Sequence, residues 1–157
     1  MDGNIYTWTE YFSEKEKTLK WKIKQVYRGH TDMVTAIVSI PNTPIIVSSS
    51  TDSSIFTWDV ATTVKQKDLK GHVKGVYSLA YSHEHRFLIS AGSDRDALVW
   101  NPLVKSRPIF RLKGHTSSLI HVEVIEGTPQ IITADSAGVL KLWDIRNFEC
   151  VQVCIFK

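Results

Sequence analysis

Apolar residues recur along this chain in short alternating runs parted by polar turns, and the runs themselves recur. After His30, His72 and His115, apolar residues stand four and seven positions on: Val34 and Ile37, Val76 and Leu79, Leu119 and Val122. Strict alternation would keep even offsets, so the odd interval predicts a first strand with a bulge. Turn-forming residues follow at 41–42, 82–85 and 126–127. Second strands are predicted at 45–49, 87–91 and 130–134, and a polar turn (Thr51-Asp52-Ser53 in the first unit) leads to a third strand ending at Trp58, Trp100 or Trp143. The most polar runs, 64–69, 108–112 and 150–156, read as outer edge strands, where Pro and Lys are tolerated. Strands this dense, with no helical period, predict an all-β fold.

The runs are in register. His30 to Trp58, His72 to Trp100 and His115 to Trp143 each span 28 residues, and the histidines are 42 and then 43 apart. A constant interval within the unit and a variable one between units indicate one module repeated with slack in its connections. A repeat in the low forties ending in Trp-Asp is a propeller-blade pattern rather than a solenoid or heptad one. Residues 2–8 align with 52–58 position by position, so residues 1–28 read as the third and outer strands of a preceding unit. Three full units follow at 29–70, 71–113 and 114–157. Trp8 to Gly29 spans 21 residues against 13 and 14 in the later units, and the excess falls on the charged residues 10–20. This stretch is expected to be an extended solvated loop, with a partner contact as the alternative.

These residues resemble the WD-repeat family of β-propellers. The resemblance implies a tetrad in each unit: the His of Gly-His, a Ser or Thr in the second strand, an Asp six before the tryptophan, and the tryptophan. His30, Ser48, Asp52 and Trp58 take these roles in the first unit, and His72, Ser90, Asp94 and Trp100 in the second. In the third, His115, Thr133 and Trp143 fit but Ala137 holds the Asp position; Asp135 is two residues early and is not expected to reach His115. A carboxylate accepting from one ring nitrogen fixes the tautomer, and the hydroxyl and indole N–H close the network. The set has the residue types of a Ser-His-Asp catalytic triad, but its recurrence in every unit marks it as structural. Within 71–146 the chain also resembles the large WD-repeat proteins of motile cilia, some of which carry EF-hands, though no EF-hand loop occurs here.

Composition narrows the function further. The chain has 157 residues, is 43% hydrophobic and carries 19 basic against 16 acidic residues. The charge is spread thinly, with no run of five basic residues, which argues against nucleic acid. No apolar run approaches the roughly 20 residues that span a bilayer, and no signal peptide opens the chain. Cys150 and Cys154, four apart in a strand, are expected on one face about 13 Å apart, as buried reduced thiols rather than a disulfide or zinc site. His83-Glu84-His85 falls in a turn with no third ligand in view. Gly-rich phosphate loops, Gly-x-Ser-x-Gly and His-Glu-x-x-His are absent, so no enzyme activity, metal or cofactor is expected.

The resemblance implies that partners bind on the narrow face, at the approach to each inner strand and the turn before the third. By position these are Met33 and Thr35, Gly75 and Tyr77, Ser118 and Ile120, with Thr51, Ser93 and Ser136 in the turns. Met33, Tyr77 and Ile120 are apolar or amphipathic, which suits either an interface anchor or packing between blades. Three blades fall short of the four to eight that close a ring, so the chain is expected to be an arc completed by further segments or by another polypeptide. The expected function is a non-enzymatic protein-protein scaffold, cytoplasmic and within a cytoskeletal or axonemal assembly. A reader of modified peptides such as histone tails or phosphodegrons is the alternative; the arginines avoid the positions above, which disfavours it.

Overall fold

The computed structural model describes residues 3–156, all of its regular elements β-strands. Two strands open the chain, β1 (Ile5–Ser13) and β2 (Thr18–Tyr27). Three antiparallel sheets of four follow: β3 (Val34–Ile40), β4 (Ile45–Ser50), β5 (Ile55–Asp59) and β6 (Lys65–Asp68); β7 (Val76–Ser82), β8 (Phe87–Gly92), β9 (Ala97–Trp100) and β10 (Phe110–Leu112); β11 (Leu119–Ile125), β12 (Gln130–Asp135), β13 (Val139–Asp144) and β14 (Glu149–Ile155). Each sheet is a meander in chain order, and β7 lies between β3 and β11. The result is an open arc of three blades and the outer half of another. No helix among the described residues is long and apolar enough to cross a membrane.

Blades are held face to face by apolar side chains. Ile40, Val47, Ile55 and Leu69 of the first blade bury against Val76, Leu79, Leu88, Leu98 and Trp100 of the second. Ile89, Ala91, Ala97, Val99 and Leu112 repeat the arrangement against Leu119, Val122, Ile131 and Trp143 of the third. Ile5 and Tyr27 of the half-blade pack on Phe56 and Trp58. The odd apolar spacing has its cause in the pairing. Val34 opposes Ser50 and Ala36 opposes Ser49, which leaves Thr35 as the extra residue; Tyr77 and Ile120 are extra in β7 and β11. The half-blade shares the turn geometry of the others, since the residue five before each tryptophan has positive φ: Gly3 61°, Ser53 71°, Arg95 68° and Gly138 82°. Asp2, aligned with Asp52, lies outside the described residues.

Two expectations fail. Residues 10–20 are not a loop: they complete β1, turn at 14–17, and begin β2. Four of the charges sit at the tip, Lys20 lies on the same side as Tyr11, and Glu10 stands among Trp, Phe, Leu and Ile on the other side, where the aromatic and β-branched residues favour strands. Cys150 and Cys154 are not a buried pair on one face either; the first is exposed and the second partly so. Register shifts between Leu142 and Trp143, so Cys150 opposes Trp143 and Cys154 opposes Leu140, positions of opposite parity on β13.

The glycines of the first two Gly-His pairs sit where the tryptophan edge arrives, whereas Gly114 meets Lys141 Nζ instead. A Cβ on Gly71 would lie 2.7 Å from the Trp100 ring, and one on Gly29 2.9 Å from Trp58. The indole is packed on all sides and cannot retreat. Gly71→Ala is therefore expected to destabilise the chain by about 1–3 kcal/mol through overpacking, read as a lower chemical-denaturation midpoint with a red shift in tryptophan emission.

Candidate functional site

Each blade buries one histidine between its inner strands and the connection from the preceding element. In the second blade, His72 Nδ1 lies 2.9 Å from both carboxylate oxygens of Asp94, and Nε2 lies 2.6 Å from Ser90 Oγ. Trp100 Nε1–H donates to the same Oγ at 2.8 Å. The proton bookkeeping closes with a neutral imidazole: Nδ1–H donates to Asp94, Ser90 O–H donates to Nε2, and the indole donates to Ser90. The first and third blades repeat the inner half, with Ser48 Oγ 2.7 Å from His30 Nε2 and Thr133 Oγ1 2.7 Å from His115 Nε2. Trp58 and Trp143 each donate to those hydroxyls at 2.8 Å.

The acidic half differs in all three blades, and one strand position explains why. Ser50, Gly92 and Asp135 are equivalent, opposing Val34, Val76 and Leu119. A Cβ on Gly92 would lie 2.8 Å from both Asp94 Oδ1 and His72 Nδ1, so its absence lets Asp94 reach the ring directly. In the third blade the carboxylate grows from this position itself. Asp135 Oδ2 is 2.8 Å from His115 Nδ1, which overturns the expectation that Asp135 falls short. Ala137, at the usual Asp position, leaves the space free, and Asp135 Oδ1 accepts the Ala137 and Val139 amides at 3.0 Å each. In the first blade Ser50 occupies the space and Asp52 stands back, 3.4 Å from His30 Nδ1. Ser54 fills the gap: its hydroxyl is 2.7 Å from Nδ1 and donates to Asp52 Oδ1. The sequence carried no sign of Ser54's role, because Asp96 and Val139 hold its equivalents and Asp96 instead pairs with Arg111 at 2.7 Å.

The surface positions form one row. Backbone bonds tie each turn to its own inner strand, Thr51 N to Met33 O at 3.0 Å, Ser93 N to Gly75 O at 2.8 Å and Ser136 N to Ser118 O at 2.9 Å. Between blades, a Cβ on Gly75 would sit 3.1 Å from Thr51 O, and Ser93 Oγ is 3.2 Å from Ser118 Oγ. Met33 and Tyr77 are 38% exposed and Ile120 51%. Thr35 stands apart, donating to Val76 O at 2.7 Å and so bracing the first two blades.

The family pattern described as "WD domain, G-beta repeat" matches residues 21–59 and 63–101, each spanning one outer strand and the next three inner ones. The chain belongs to the WD-repeat family. It is 35% identical over 152 residues, 96% of its length, to "Cilia- and flagella-associated protein 337 B" of Tetrahymena thermophila, of which it spans 12%. It is 31% identical over 78 residues, 50% of its length, to "WD repeat-containing protein on Y chromosome" of Anopheles gambiae, of which it spans 7%. The solved structure of U3-55K superposes over 84% of this chain and 42% of that one, with a TM-score of 0.78 at 23% identity. The chain thus covers a minor part of each of these proteins.

In this WD-repeat arc the tetrads lie inside the blades, away from solvent. Ser48, Ser90 and Thr133 are wholly buried, so no substrate reaches the hydroxyls. Burial pushes Asp52 up, but the Ser54 hydroxyl and the Thr31 and Ser54 amides outweigh it and hold the carboxyl at about 2. Asp94 and Asp135 behave alike: burial raises them, and hydrogen bonds, led by His72 and His115, bring them below the ordinary value. His30 is pushed down by burial, which its relayed carboxylate only partly offsets. On the opposite rim, clefts of about 390 and 480 Å³ share Tyr81, His83 and Glu84; sequence reasoning did not anticipate them. Among the described residues no group of three or more His, Cys, Asp or Glu could hold a metal.

Two predictions follow from this geometry. Asp135→Ala leaves a buried imidazole N–H and two amides without their acceptor and is expected to cost about 1–3 kcal/mol. The pair Asp135→Gly with Ala137→Asp rebuilds the second blade's arrangement and should recover most of that loss in urea unfolding. As for pH, a histidine depressed by folding contributes stability that is complete above its unfolded value of 6.5 and declines as pH falls below it. Depressed aspartates contribute stability complete above 3.8, lost as pH falls through their folded values. The melting temperature should therefore begin to drop below about pH 6.5 and fall more steeply below about pH 4; a flat profile from pH 7 to pH 3 would contradict both assignments.

Proposed function

We propose that this arc is a non-enzymatic scaffold that holds another protein on the row running from Met33 to Ser136, within a cytoskeletal assembly of the axonemal kind. WD-repeat domains generally mediate protein–protein contacts, and the row is the observation that carries the reading. It places three exposed anchors, Met33, Tyr77 and Ile120, among the small hydroxyl residues Thr51, Ser93, Ser118 and Ser136. Large apolar groups ringed by small polar ones are the composition of an interface core with its rim. The 35% identity to a cilia- and flagella-associated protein supports the axonemal setting.

The test is co-sedimentation of the purified chain with demembranated axonemes. Met33→Ala with Tyr77→Ala should weaken apparent affinity about tenfold, the loss of one or two interface anchors, while the melting temperature stays within about 2 °C. Undiminished binding by the folded double variant would remove the row as the contact, and no binding by the parent chain would remove the axonemal setting.

A further inference from the structure

The longest connection inside a blade joins β9 to β10. It runs over residues 101–109, where the corresponding connections of the first and third blades take only 60–64 and 145–148. The extra length is ordered: the amides of Val104 and Lys105 donate to Asn101 O at 3.2 and 3.0 Å, and Ile109 N donates to Val99 O at 2.8 Å. It is also laid against the outer strand of the first blade. Lys70 N donates to Ser106 O at 2.8 Å, and Lys67 Nζ donates to Leu103 O. Both blades that meet at this junction are complete, so its exposure belongs to the junction itself.

The contact collects charge that the sequence scatters. Lys65, Lys67 and Lys70 stand on or beside β6, and Lys105 and Arg107 come from the connection in the next blade. Asp68 is the one acidic residue among them, 3.9 Å from Lys70 Nζ. Five basic residues against one acidic give the patch a formal charge of +4, where the whole chain has +3. Lys65 Nζ sits 4.0 Å from the Phe56 ring centre, and Lys67 is tied to the Leu103 carbonyl. Lys70, Lys105 and Arg107 are exposed, and among the described residues neither Lys105 nor Arg107 has a side-chain partner. The foot of the connection closes a cleft of about 480 Å³ whose apolar lining is Ile40, Pro41, Tyr81 and Leu103. Glu84 and Arg86 add one charge of each sign there and leave the balance unchanged.

We propose that this junction docks an acidic protein segment, with carboxylates along Lys70, Lys105 and Arg107 and one apolar side chain in the cleft at Leu103. An unpaired cationic surface draws an acidic partner and repels basic ones, and a preformed apolar cleft fixes where the segment sits. A nucleic acid fits less well. Bases bind by stacking on aromatic rings, and the exposed ring beside the connection, Phe110, is already stacked on Phe148 at 4.6 Å. Asp68 would also stand among closely spaced phosphates, whereas a peptide can place its carboxylates around it. A bilayer would meet the cations but leave the cleft empty, because a planar headgroup layer does not enter it.

The test uses the whole chain and fluorescein-labelled Glu-rich peptides containing either one Leu or one Ser, read by anisotropy. A peptide with Gln in place of Glu, a single-stranded RNA and phosphatidylcholine vesicles containing phosphatidylserine serve as comparisons. The Glu peptide with Leu should bind saturably, several-fold tighter than its Ser counterpart, and weaken several-fold as salt rises; the Gln peptide should not bind. Lys105→Glu with Arg107→Glu should reduce affinity about tenfold at an unchanged melting temperature, and Lys70→Glu alone by a smaller factor. Lys15→Glu with Lys17→Glu makes the same change of net charge at the tip of the β1–β2 ribbon and should leave affinity unchanged. Leu103→Ser should abolish the difference between the Leu and Ser peptides. No binding of the Glu peptide, an equal loss from the ribbon-tip variant, no preference for Leu, or tighter binding of RNA or vesicles would each overturn the proposal.

Discussion

A neutral imidazole buried between strands has one donor and one acceptor to satisfy, and an unmet need inside the core costs about as much as a whole domain can spare on one defect. Three such rings occur here, His30, His72 and His115, each with its side chain fully buried. Meeting that requirement brings together parts of the chain far apart in sequence. The Nε2 partner comes from the second strand, the Nδ1 partner from the end of that strand or the turn after it, and the indole that shares the hydroxyl from the third strand. In the first two blades the indole then reaches the glycine before the histidine, and this contact excludes any side chain there. One polar network therefore sets the relative position of three strands and a connection, and the apolar faces of adjacent blades can only meet in the register this leaves.

The network constrains what must be satisfied, not which residue does it. Ser50, Gly92 and Asp135 occupy one backbone position and yield three arrangements: a hydroxyl relay, a direct carboxylate from the turn, and a direct carboxylate from the strand. Each replaces the others' geometry while leaving both ring nitrogens partnered. The relay differs electrostatically. Asp52 spends its hydrogen bonds on Ser54 and the Thr31 amide, so its charge is held low but farther from the ring, and burial dominates at His30.

Much of the fold was legible because strand period and burial are coupled: alternate residues face a neighbouring blade, so alternation and the 28-residue His-to-Trp interval survive in the sequence. The bulge was readable from an odd interval for the same reason. What was not readable depended on distance across a turn or on which side of a ribbon is solvated. Asp135 looked misplaced because separation from Trp143 was taken to measure separation from His115, yet a strand-end side chain and a turn side chain two residues later point at the same ring. Residues 10–20 carry six charges, which counted along the chain suggest a loop; on the ribbon four of them gather at the tip, and the alternating Trp, Phe, Leu and Ile set the strands. Cys150 and Cys154 were assigned one face by counting, and a single extra residue, Val151, reversed the parity.

Rigidity shapes what the candidate contact surface of the blades can hold. The row from Met33 to Ser136 is crossed by backbone hydrogen bonds of 2.8–3.0 Å within each blade and by side-chain contacts between blades. Tyr77 and Ile120 ride on bulges, where the extra residue leaves the ladder and turns outward while its neighbours remain paired. A partner binding there orders little that is not already ordered, and preorganisation of this kind leaves more of the contact energy as affinity. Such a surface suits a partner whose own shape is already set.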